Sequence, residues 1–182
     1  VTASGPNGYN VAYDMRVSDR RNVLTRITDS LGRITNVEYD AFYRPTRLVY
    51  PEGNETTVSY DLVGNIVSRT TKPKLNSGLV AVSETTSFPS TLCDNSTFDI
   101  RCFRPTWFRD GLGRQTDFLY NTRGQLTERT DPADADGVRR NTYLTYDTST
   151  GISRPSAVRV CGDTTTCNTA DEVRTQSQYW GN

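Results

Sequence analysis

Four cysteines are the residues of this sequence with the most distinctive chemistry. They form two close pairs, Cys93 with Cys102 and Cys161 with Cys167. Pairing within each couple would close two short loops with disulfides, which persist in oxidising spaces such as the periplasm or the cell exterior. Free thiols and a four-cysteine zinc site are the alternatives, although neither spacing is the tight C-x2-C of a zinc knuckle. Four cysteines formally allow three connectivities.

Carboxylates are the next candidates for chemistry. The acidic run Asp131–Gly137 has some likeness to a calcium loop, which places oxygen ligands at alternate positions and ends on a bidentate Glu. Pro132 occupies the place of the first needed Asp and no Glu stands in register, so the run predicts an exposed turn between strands. Paired carboxylates would also suit glycoside hydrolysis, but no pair stands out.

Histidine is absent, which excludes Ser–His–Asp triads, Cys–His dyads, His-bound metals and imidazole pH switches. Lys+Arg and Asp+Glu each total 21, and this balance argues against a nucleic-acid partner. The 19 arginines are spread along the chain, where pairing with carboxylates on neighbouring strands accounts for them. We therefore expect no cofactor, no metal, no catalytic residue and no enzymatic activity.

No stretch of the sequence is apolar enough to span a membrane. The longest apolar run is Leu79–Val82, whereas a spanning helix needs roughly 20 residues. The N-terminus lacks Met and the features of a signal peptide, and the chain ends at Gly181-Asn182. These termini predict a fragment of a longer chain.

The elements that must position these residues are strands, because apolar residues alternate with polar ones. Alternation of β-branched and aromatic residues is typical of antiparallel strands with one buried and one wetted face. The pattern Thr-x-apolar-x-Tyr recurs as Thr35-x-Val37-x-Tyr39, Thr56-x-Val58-x-Tyr60, Thr116-x-Phe118-x-Tyr120 and Thr142-x-Leu144-x-Tyr146. The sequence therefore predicts an all-β protein of antiparallel hairpins.

A second pattern, Asp/Asn-x-x-Gly followed by Arg, Asn or Gln, lies between the strands. It begins at Asp29, Asp61, Asp110 and Asn121. Asp or Asn caps a turn through its own side chain, and Gly at the fourth position accepts a positive φ. This chemistry predicts a type I turn followed by a left-handed residue. Turns begin at 19, 29, 40, 61, 110 and 121, which leaves strands of about six or seven residues between many of them.

The sequence also repeats over longer distances. Residues 29–51 align without gaps on 110–132, and a shorter copy follows the first at an offset of 21 residues. The identities at the longer offset are Asp29/Asp110, Leu31/Leu112, Gly32/Gly113, Arg33/Arg114, Thr35/Thr116, Tyr39/Tyr120, Thr46/Thr127 and Pro51/Pro132. A period near 20 residues is typical of stacked units, each too small to bury its apolar face alone.

These units resemble the RHS/YD-repeat family. The resemblance is carried by Gly32-Arg33 with Tyr39-Asp40, by Arg47-Leu48 with Tyr50–Asn54, and by the Tyr-Asp-x-x-Gly unit at 60–66 and 120–126. It covers residues 9–70 and 107–182 with gaps. Tyr43 stands where the unit has Gly, and Asn121 where it has Asp.

The resemblance implies a continuous antiparallel sheet, twisted or spiralling, that is part of a larger hollow shell. In bacterial polymorphic toxins and insecticidal toxin complexes the shell encloses a C-terminal toxic segment, and in teneurins it is an extracellular scaffold. Many bacterial members close the shell with a self-cleaving Asp-Pro-x-Gly-Leu site. Asp131-Pro132 begins like that site, but Gly-Leu does not follow, so autoproteolysis is not carried over.

The resemblance divides the chain into YD-repeat hairpins at 1–70 and 107–182 and an insertion with one cysteine pair at 71–106. It implies a non-catalytic segment of a secreted or cell-surface shell, bacterial rather than eukaryotic, that encloses or presents a toxin or effector. Its partners would be the remaining repeats of the same polypeptide, other copies of the chain, or an enclosed toxin domain, without direct membrane insertion. The alternative is an extracellular adhesion or glycan-binding β-scaffold that uses the 71–106 insertion.

The residues expected to hold the repeat structure are the turn glycines, their arginine neighbours and the Tyr-Asp pairs. They are Gly32, Arg33, Tyr39, Asp40, Gly53, Tyr60, Asp61, Gly64, Gly113, Arg114, Tyr120, Gly124 and Tyr146.

Overall fold

The computed structural model describes residues 2–4, 10–18, 21–89, 99–149, 151–162, 167 and 172–177. Strands dominate this part of the chain, with 14 strands and one short 3-10 helix, Ile100–Phe103. The chain divides into two compact units, Val1–Ser83 and Glu84–Asn182. No helix among the described residues is both long and apolar enough to cross a bilayer. The predicted all-β class is confirmed.

The first unit holds strands β1 to β7, each hydrogen-bonded antiparallel to its neighbour in sequence. Their bounds are β1 Thr2–Ser4, β2 Asn10–Ser18, β3 Arg21–Thr28, β4 Ile34–Tyr39, β5 Pro45–Val49, β6 Glu55–Tyr60 and β7 Ile66–Lys72. Turns of five residues, 29–33, 40–44, 50–54 and 61–65, separate β3 to β7. The turn predicted at Asp19 lies outside the described residues.

The second unit begins within β8 and continues the same pattern to β14. The bounds are β8 Val82–Ser87, β9 Trp107–Arg109, β10 Gln115–Tyr120, β11 Leu126–Thr130, β12 Asn141–Asp147, β13 Arg154–Cys161 and β14 Val173–Gln176. Each strand pairs antiparallel with the next. Strand order equals chain order in both units, which is the hairpin arrangement that the turn spacing predicts.

A β-bulge lies next to the turn in the hairpins β4–β5, β6–β7, β10–β11 and β12–β13. The strand register shifts immediately before Tyr39, Tyr60, Tyr120 and Tyr146, the last apolar positions of β4, β6, β10 and β12. Each shift leaves one extra residue near the start of the following strand, because Tyr39 faces Pro45 while Glu38 faces Arg47. The extra residues are Thr46, Val67, Thr127 and Ser156. Such bulges increase local twist, so each hairpin is bent at the same place.

Few side chains are buried. Among the described residues, the buried apolar side chains are those of Val23, Cys102 and Cys161, and the buried polar ones are those of Thr56 and Asn141. Large apolar side chains at turn positions face solvent instead, and Leu62 is 99% exposed. With so little burial, the units depend on ladder hydrogen bonds, turn caps and cross-strand side-chain contacts.

Candidate functional site

The candidate site is the repeated set of contacts that closes each turn and joins each hairpin to the next. In the 29–33 turn, one carboxylate oxygen of Asp29 accepts hydrogen bonds from the backbone N–H groups of Leu31 and Arg33, both at 2.9 Å. The other oxygen accepts the Nε–H of Arg33 at 2.7 Å. The N–H of Gly32 donates to the Asp29 carbonyl, and φ of Gly32 is +75°. A single Asp therefore caps the turn and holds the residue after glycine.

Other turns repeat this cap. Asp40 and Asp110 bind Arg44 and Arg114 through Nε at 2.7 and 2.8 Å. Asp61 binds the side-chain amide of Asn65 at 2.8 Å. The Arg or Asn that follows the fourth turn residue is thus explained, since each supplies an N–H to the second oxygen of the capping Asp.

The turn that begins at Asn121 is the neutral version. The Asn121 side-chain oxygen accepts the N–H groups of Arg123 and Gln125 at 3.0 and 3.1 Å. Its amide N–H donates to the Gln125 side-chain oxygen at 2.9 Å. An amide pair therefore replaces the ion pair of the other turns, and the departure noted at Asn121 keeps the cap intact.

The pKa values of three capping carboxylates, those of Asp29, Asp40 and Asp110, are lowered. The Arg114 side chain, followed by the Arg114 backbone N–H, lowers the pKa of Asp110 below its ordinary value. For Asp29 the largest effect is the Arg33 backbone N–H, which likewise lowers the pKa. Burial opposes the shift at Asp40, but hydrogen bonds from Arg44 outweigh it and the pKa is lowered there too. The caps are therefore strongest when ionised.

Positive φ values mark the fourth residue of these turns, whose backbone N–H donates to the carbonyl of the first. Gly53, Gly64, Gly113 and Gly124 have φ between +71° and +100°. Tyr43 holds the same place in the 40–44 turn with φ of +64°. A tyrosine in this region is uncommon, and the Arg21 guanidinium lies 5.3 Å from the centre of its ring.

The tyrosines before the caps join neighbouring hairpins. The hydroxyl of Tyr60, at the end of β6, donates to the carbonyl of Pro45 in β5 at 2.7 Å. Tyr146 in β12 donates to Leu126 in β11 at 2.8 Å, and Tyr39 in β4 to Leu24 in β3 at 2.7 Å. In a Tyr-Asp pair, Asp closes its own hairpin and Tyr binds the preceding one.

Neighbouring turns also contact each other directly. Arg44 extends from its cap to the carbonyl of Asp61, with Nη1 3.1 Å from that oxygen, and its guanidinium lies 4.5 Å from the centre of the Tyr60 ring. In the second unit the shorter Gln125 donates to Ser153 Oγ at 2.7 Å instead. Each of these residues therefore has two tasks, closing one turn and reaching the next.

Two of the four extra residues, Thr127 and Ser156, make a further side-chain contact. Thr127 Oγ1 donates to the carbonyl of Leu119, the residue before Tyr120, at 3.2 Å. Ser156 Oγ lies 3.1 Å from Thr145 Oγ1, just before Tyr146. Thr127 recurs with Thr46 at the 81-residue offset, so the repeat held this signal, but periodicity alone assigned it no role.

Charged side chains form a ladder across four strands of the first unit. Arg47 in β5 binds Glu38 in β4 at 2.8 Å and also binds Glu55 in β6. Glu55 in turn accepts Lys72 of β7 at 2.9 Å. Lys72, followed by Arg47, lowers the pKa of Glu55. The expected cross-strand pairing of basic and acidic residues is present.

Comparison with known protein families gives a match for part of the chain. Residues 19–55 match the family model for the RHS repeat. The segment is an RHS repeat. It holds the caps of Asp29 and Asp40, the Tyr39 contact and the first part of the charge ladder, and it confirms the resemblance drawn from the sequence. Among curated protein sequences, none matches the chain.

Solved structures share the fold. The crystal structure of TcdB2-TccC3-TEV is 12% identical and covers 88% of this chain, with a TM-score of 0.54. The Photorhabdus luminescens Tc holotoxin pore is 13% identical and covers 89%, with a TM-score of 0.53. The crystal structure of TcdB2-TccC3-Cdc42 is 12% identical and covers 84%, with a TM-score of 0.52. This chain spans only 9–10% of those chains.

The three cysteines that the structure describes form disulfides. Cys161 is bonded to Cys167, as the local pairing predicts, and this bond joins the end of β13 to the segment that follows. Cys102, in the 3-10 helix, is also disulfide-bonded. Its expected partner, Cys93, lies outside the described residues. Within the described residues no cysteine is free, so the thiol alternative is wrong for these three.

Two further candidates from the sequence, the acidic run Asp131–Gly137 and the range 71–106, both contain ordinary elements of the fold. Asp134, within the acidic run, accepts the N–H groups of Asp136 and Val138 at 3.0 Å and closes a turn of the same kind. No group of three or more potential ligands that could hold a metal occurs in the described part of the chain. The range 71–106 includes the end of β7, all of β8 and the 3-10 helix, whose Ile100 lies against Gly124.

Proposed function

We propose that this chain is a non-catalytic wall segment of an RHS-repeat shell in a secreted or surface-exposed bacterial protein. The shell would enclose or present a toxin or effector region. The observation that carries the proposal is that the two residues of a Tyr-Asp pair make different contacts. In Tyr39-Asp40, Asp40 closes its own hairpin and Tyr39 binds the hairpin before it. Such a unit can be added indefinitely, as a wall requires.

The use of the carboxylates supports a structural role. Many of them are engaged by arginine, in the pairs Asp14–Arg26, Asp29–Arg33, Glu38–Arg47, Asp40–Arg44, Asp99–Arg101, Asp110–Arg114, Asp117–Arg139, Asp131–Arg129 and Glu172–Arg159. A general acid needs a raised pKa. The shifted carboxyls Asp29, Asp40, Glu55 and Asp110 have lowered values instead. This chemistry favours holding strands together over proton transfer.

The comparisons support the same proposal at the level of fold. The likeness extends over most of this chain, and the matched structures include one of a Tc holotoxin. A segment about one tenth as long as those chains would be one part of such an assembly.

The test is electron cryomicroscopy of the full polypeptide that contains this chain. We expect residues 21–89 and 99–149 to lie in a wall, with further hairpins on both sides and a protease-protected region inside. A closed cleft in which two free carboxylates face a substrate would overturn the proposal, as would a structure without any enclosed space.

One observation favours the second candidate, an extracellular adhesion scaffold that uses the 71–106 range. The loop between β7 and β8 exposes three apolar side chains, with Leu75, Leu79 and Val80 at 87%, 73% and 82%. If this loop binds a partner, the triple serine variant of these residues should lose adhesion to target cells while the melting temperature stays constant. Equal adhesion by both proteins would remove this candidate and leave the wall proposal intact.

A further inference from the structure

Strand β14 is docked on β13 by its backbone rather than by its side chains. It is four residues long, it pairs with residues 157–160, and all four of its side chains are exposed. No apolar side chain of β14 is therefore buried to stabilise the docking. The backbone ladder holds the strand instead, together with a hydrogen bond from the Ser177 N–H to the Ser156 carbonyl at 2.8 Å.

The charges across β13 and β14 do not strengthen this docking. Arg174 lies opposite Arg159 in the strand register, and like charges that face each other destabilise a strand pair. Glu172, just before β14, offsets the repulsion, since its Oε1 lies 2.8 Å from Arg159 Nε. One partly exposed ion pair contributes little, so the side chains add little net attachment to the backbone ladder.

The disulfide between Cys161 and Cys167 adds a constraint at the point where β14 begins. Cys161 directly follows Val160, whose ladder partner is Val173, the first residue of β14. The bond joins residues with a sequence separation of 6. The connection to Val173 therefore starts at Cys167 and is about half as long as it would be from Cys161. Doubling the length of a connection makes its closure roughly threefold less probable.

The two sulfurs of this disulfide differ in accessibility. Cys161 is 1% exposed, whereas Cys167 is half-buried. The thiolate of a small thiol such as glutathione therefore attacks Sγ of Cys167, the S–S bond breaks, and Sγ of Cys161 leaves as a thiolate that takes up a proton. A second molecule of the small thiol cleaves the mixed disulfide at Cys167. Two cysteine thiols are thus formed, and the two small thiols leave as one disulfide.

We propose that the Cys161–Cys167 disulfide is a redox switch for the docking of β14. In an oxidising space the bond persists and keeps β14 on β13. In a reducing compartment the bond is cleaved, the connection to β14 doubles in length, and β14 leaves β13 more often. The edge of β13 is then open to another strand. The switch does not depend on the proposed wall role, because it uses only the contacts of β13 and β14.

The experiment follows hydrogen exchange of single backbone amides by NMR in the 182-residue chain, before and after reduction with glutathione. The probe is the Ser177 N–H, and the reference is the Asp131 N–H, which donates to the Arg140 carbonyl at 2.8 Å in the same unit. We expect the exchange rate of Ser177 to rise roughly threefold or more, while that of Asp131 stays constant. An unchanged rate at Ser177 would overturn the proposal. Equal acceleration at Asp131 would overturn it too, since the bond would then stabilise the unit as a whole.

Two double-serine variants separate the two disulfides. C161S/C167S lacks the switch, so Ser177 should exchange faster without a reductant, and glutathione should add nothing to its rate. The matched control, C93S/C102S, removes the bond of Cys102 with its expected partner and should exchange at Ser177 as the native chain does. Equal acceleration of Ser177 in both variants would overturn the assignment to Cys161–Cys167. Circular dichroism checks the fold, and reduction of the native chain remains decisive if a variant does not fold.

Discussion

At the scale of single residues, the turns show how much of this fold depends on two positions. The first residue must supply two acceptor oxygens, or an oxygen and an amide, and the fourth must accept a positive φ. Asp110 and Gly113 meet these needs in the ion-paired turn, and Asn121 and Gly124 meet them in the neutral one. The two turns therefore form a natural pair for comparison.

Replacing either turn glycine with alanine tests the backbone conformation. Gly113 and Gly124 have φ of +79° and +71°, so alanine at either position should cost roughly 1–2 kcal/mol of unfolding free energy. An added Cβ at Gly113 meets nothing within 4 Å, whereas at Gly124 it lies 2.8 Å from Ile100. Gly124→Ala should therefore destabilise more than Gly113→Ala in urea denaturation. Equal losses would show that Ile100 does not pack on this turn.

The ionised caps predict loss of stability in acid. Asp110 has an ordinary pKa of 3.8 and a lower one when folded, because the Arg114 side chain and backbone N–H bind its charged form. Its contribution to the stability of the folded chain is therefore complete above pH 3.8. This contribution is lost as the pH falls through the pKa that Asp110 has in the folded state. D110N/R114Q copies the neutral Asn121–Gln125 cap, so its melting temperature should fall less between about pH 5 and about pH 2 than that of the native chain. Parallel curves would contradict this role for Asp110.

At the scale of elements, Tyr39, Tyr60 and Tyr146 each bind the strand that precedes their own. The hydroxyl of Tyr60 reaches back to Pro45 and that of Tyr146 to Leu126. The extra residue of each bulge lies in the strand that follows the turn, opposite the end of the tyrosine's strand, and it increases the local twist there. Tyrosine and bulge therefore recur at the same place in these hairpins.

Removal of the hydroxyl measures this connection. Tyr60→Phe should lower the free energy of unfolding by about 0.5–1.5 kcal/mol, the usual net value of one hydrogen bond. The stacking of Arg44 on the ring should be retained. Tyr120 is the matched control, because its hydroxyl makes no hydrogen bond among the described residues. Tyr120→Phe should then be nearly neutral in thermal denaturation, and a loss equal to that of Tyr60→Phe would argue against the inter-hairpin contact.

The sequence could predict the strands and turns because their signals are local. Alternation defines β4 and β6, and the Asp-x-x-Gly unit defines the turn that begins at Asp61. The bulges were not predicted, since the extra residue Thr127 shows only in the pairing of two strands. The disulfide between Cys161 and Cys167 was predictable because both cysteines lie close in sequence. The contact between Gln125 and Ser153 was not, because it joins two turns that are 28 residues apart.

At the scale of the whole molecule, the sheet order ends at β14, Val173–Gln176. All four of its residues are exposed, and no strand among the described residues pairs with its outer edge. An unpaired edge presents free N–H and C=O groups to another chain. We therefore expect the 182-residue chain to associate through this edge as its concentration rises.

The two edges of β14 can be tested separately, because successive backbone N–H groups point to opposite edges. The N–H of Ser177 donates to Ser156 in β13 at 2.8 Å, and bonding groups alternate along an antiparallel strand. The N–H of Thr175 therefore points toward β13, and that of Gln176 points outward. Gln176→Pro removes an outward donor, which an edge strand tolerates. It should reduce the associated fraction in analytical ultracentrifugation without changing the melting temperature. Thr175→Pro removes an inward bond and should lower the melting temperature instead. If Gln176→Pro associates as the native chain does, β14 is not the edge through which copies pair.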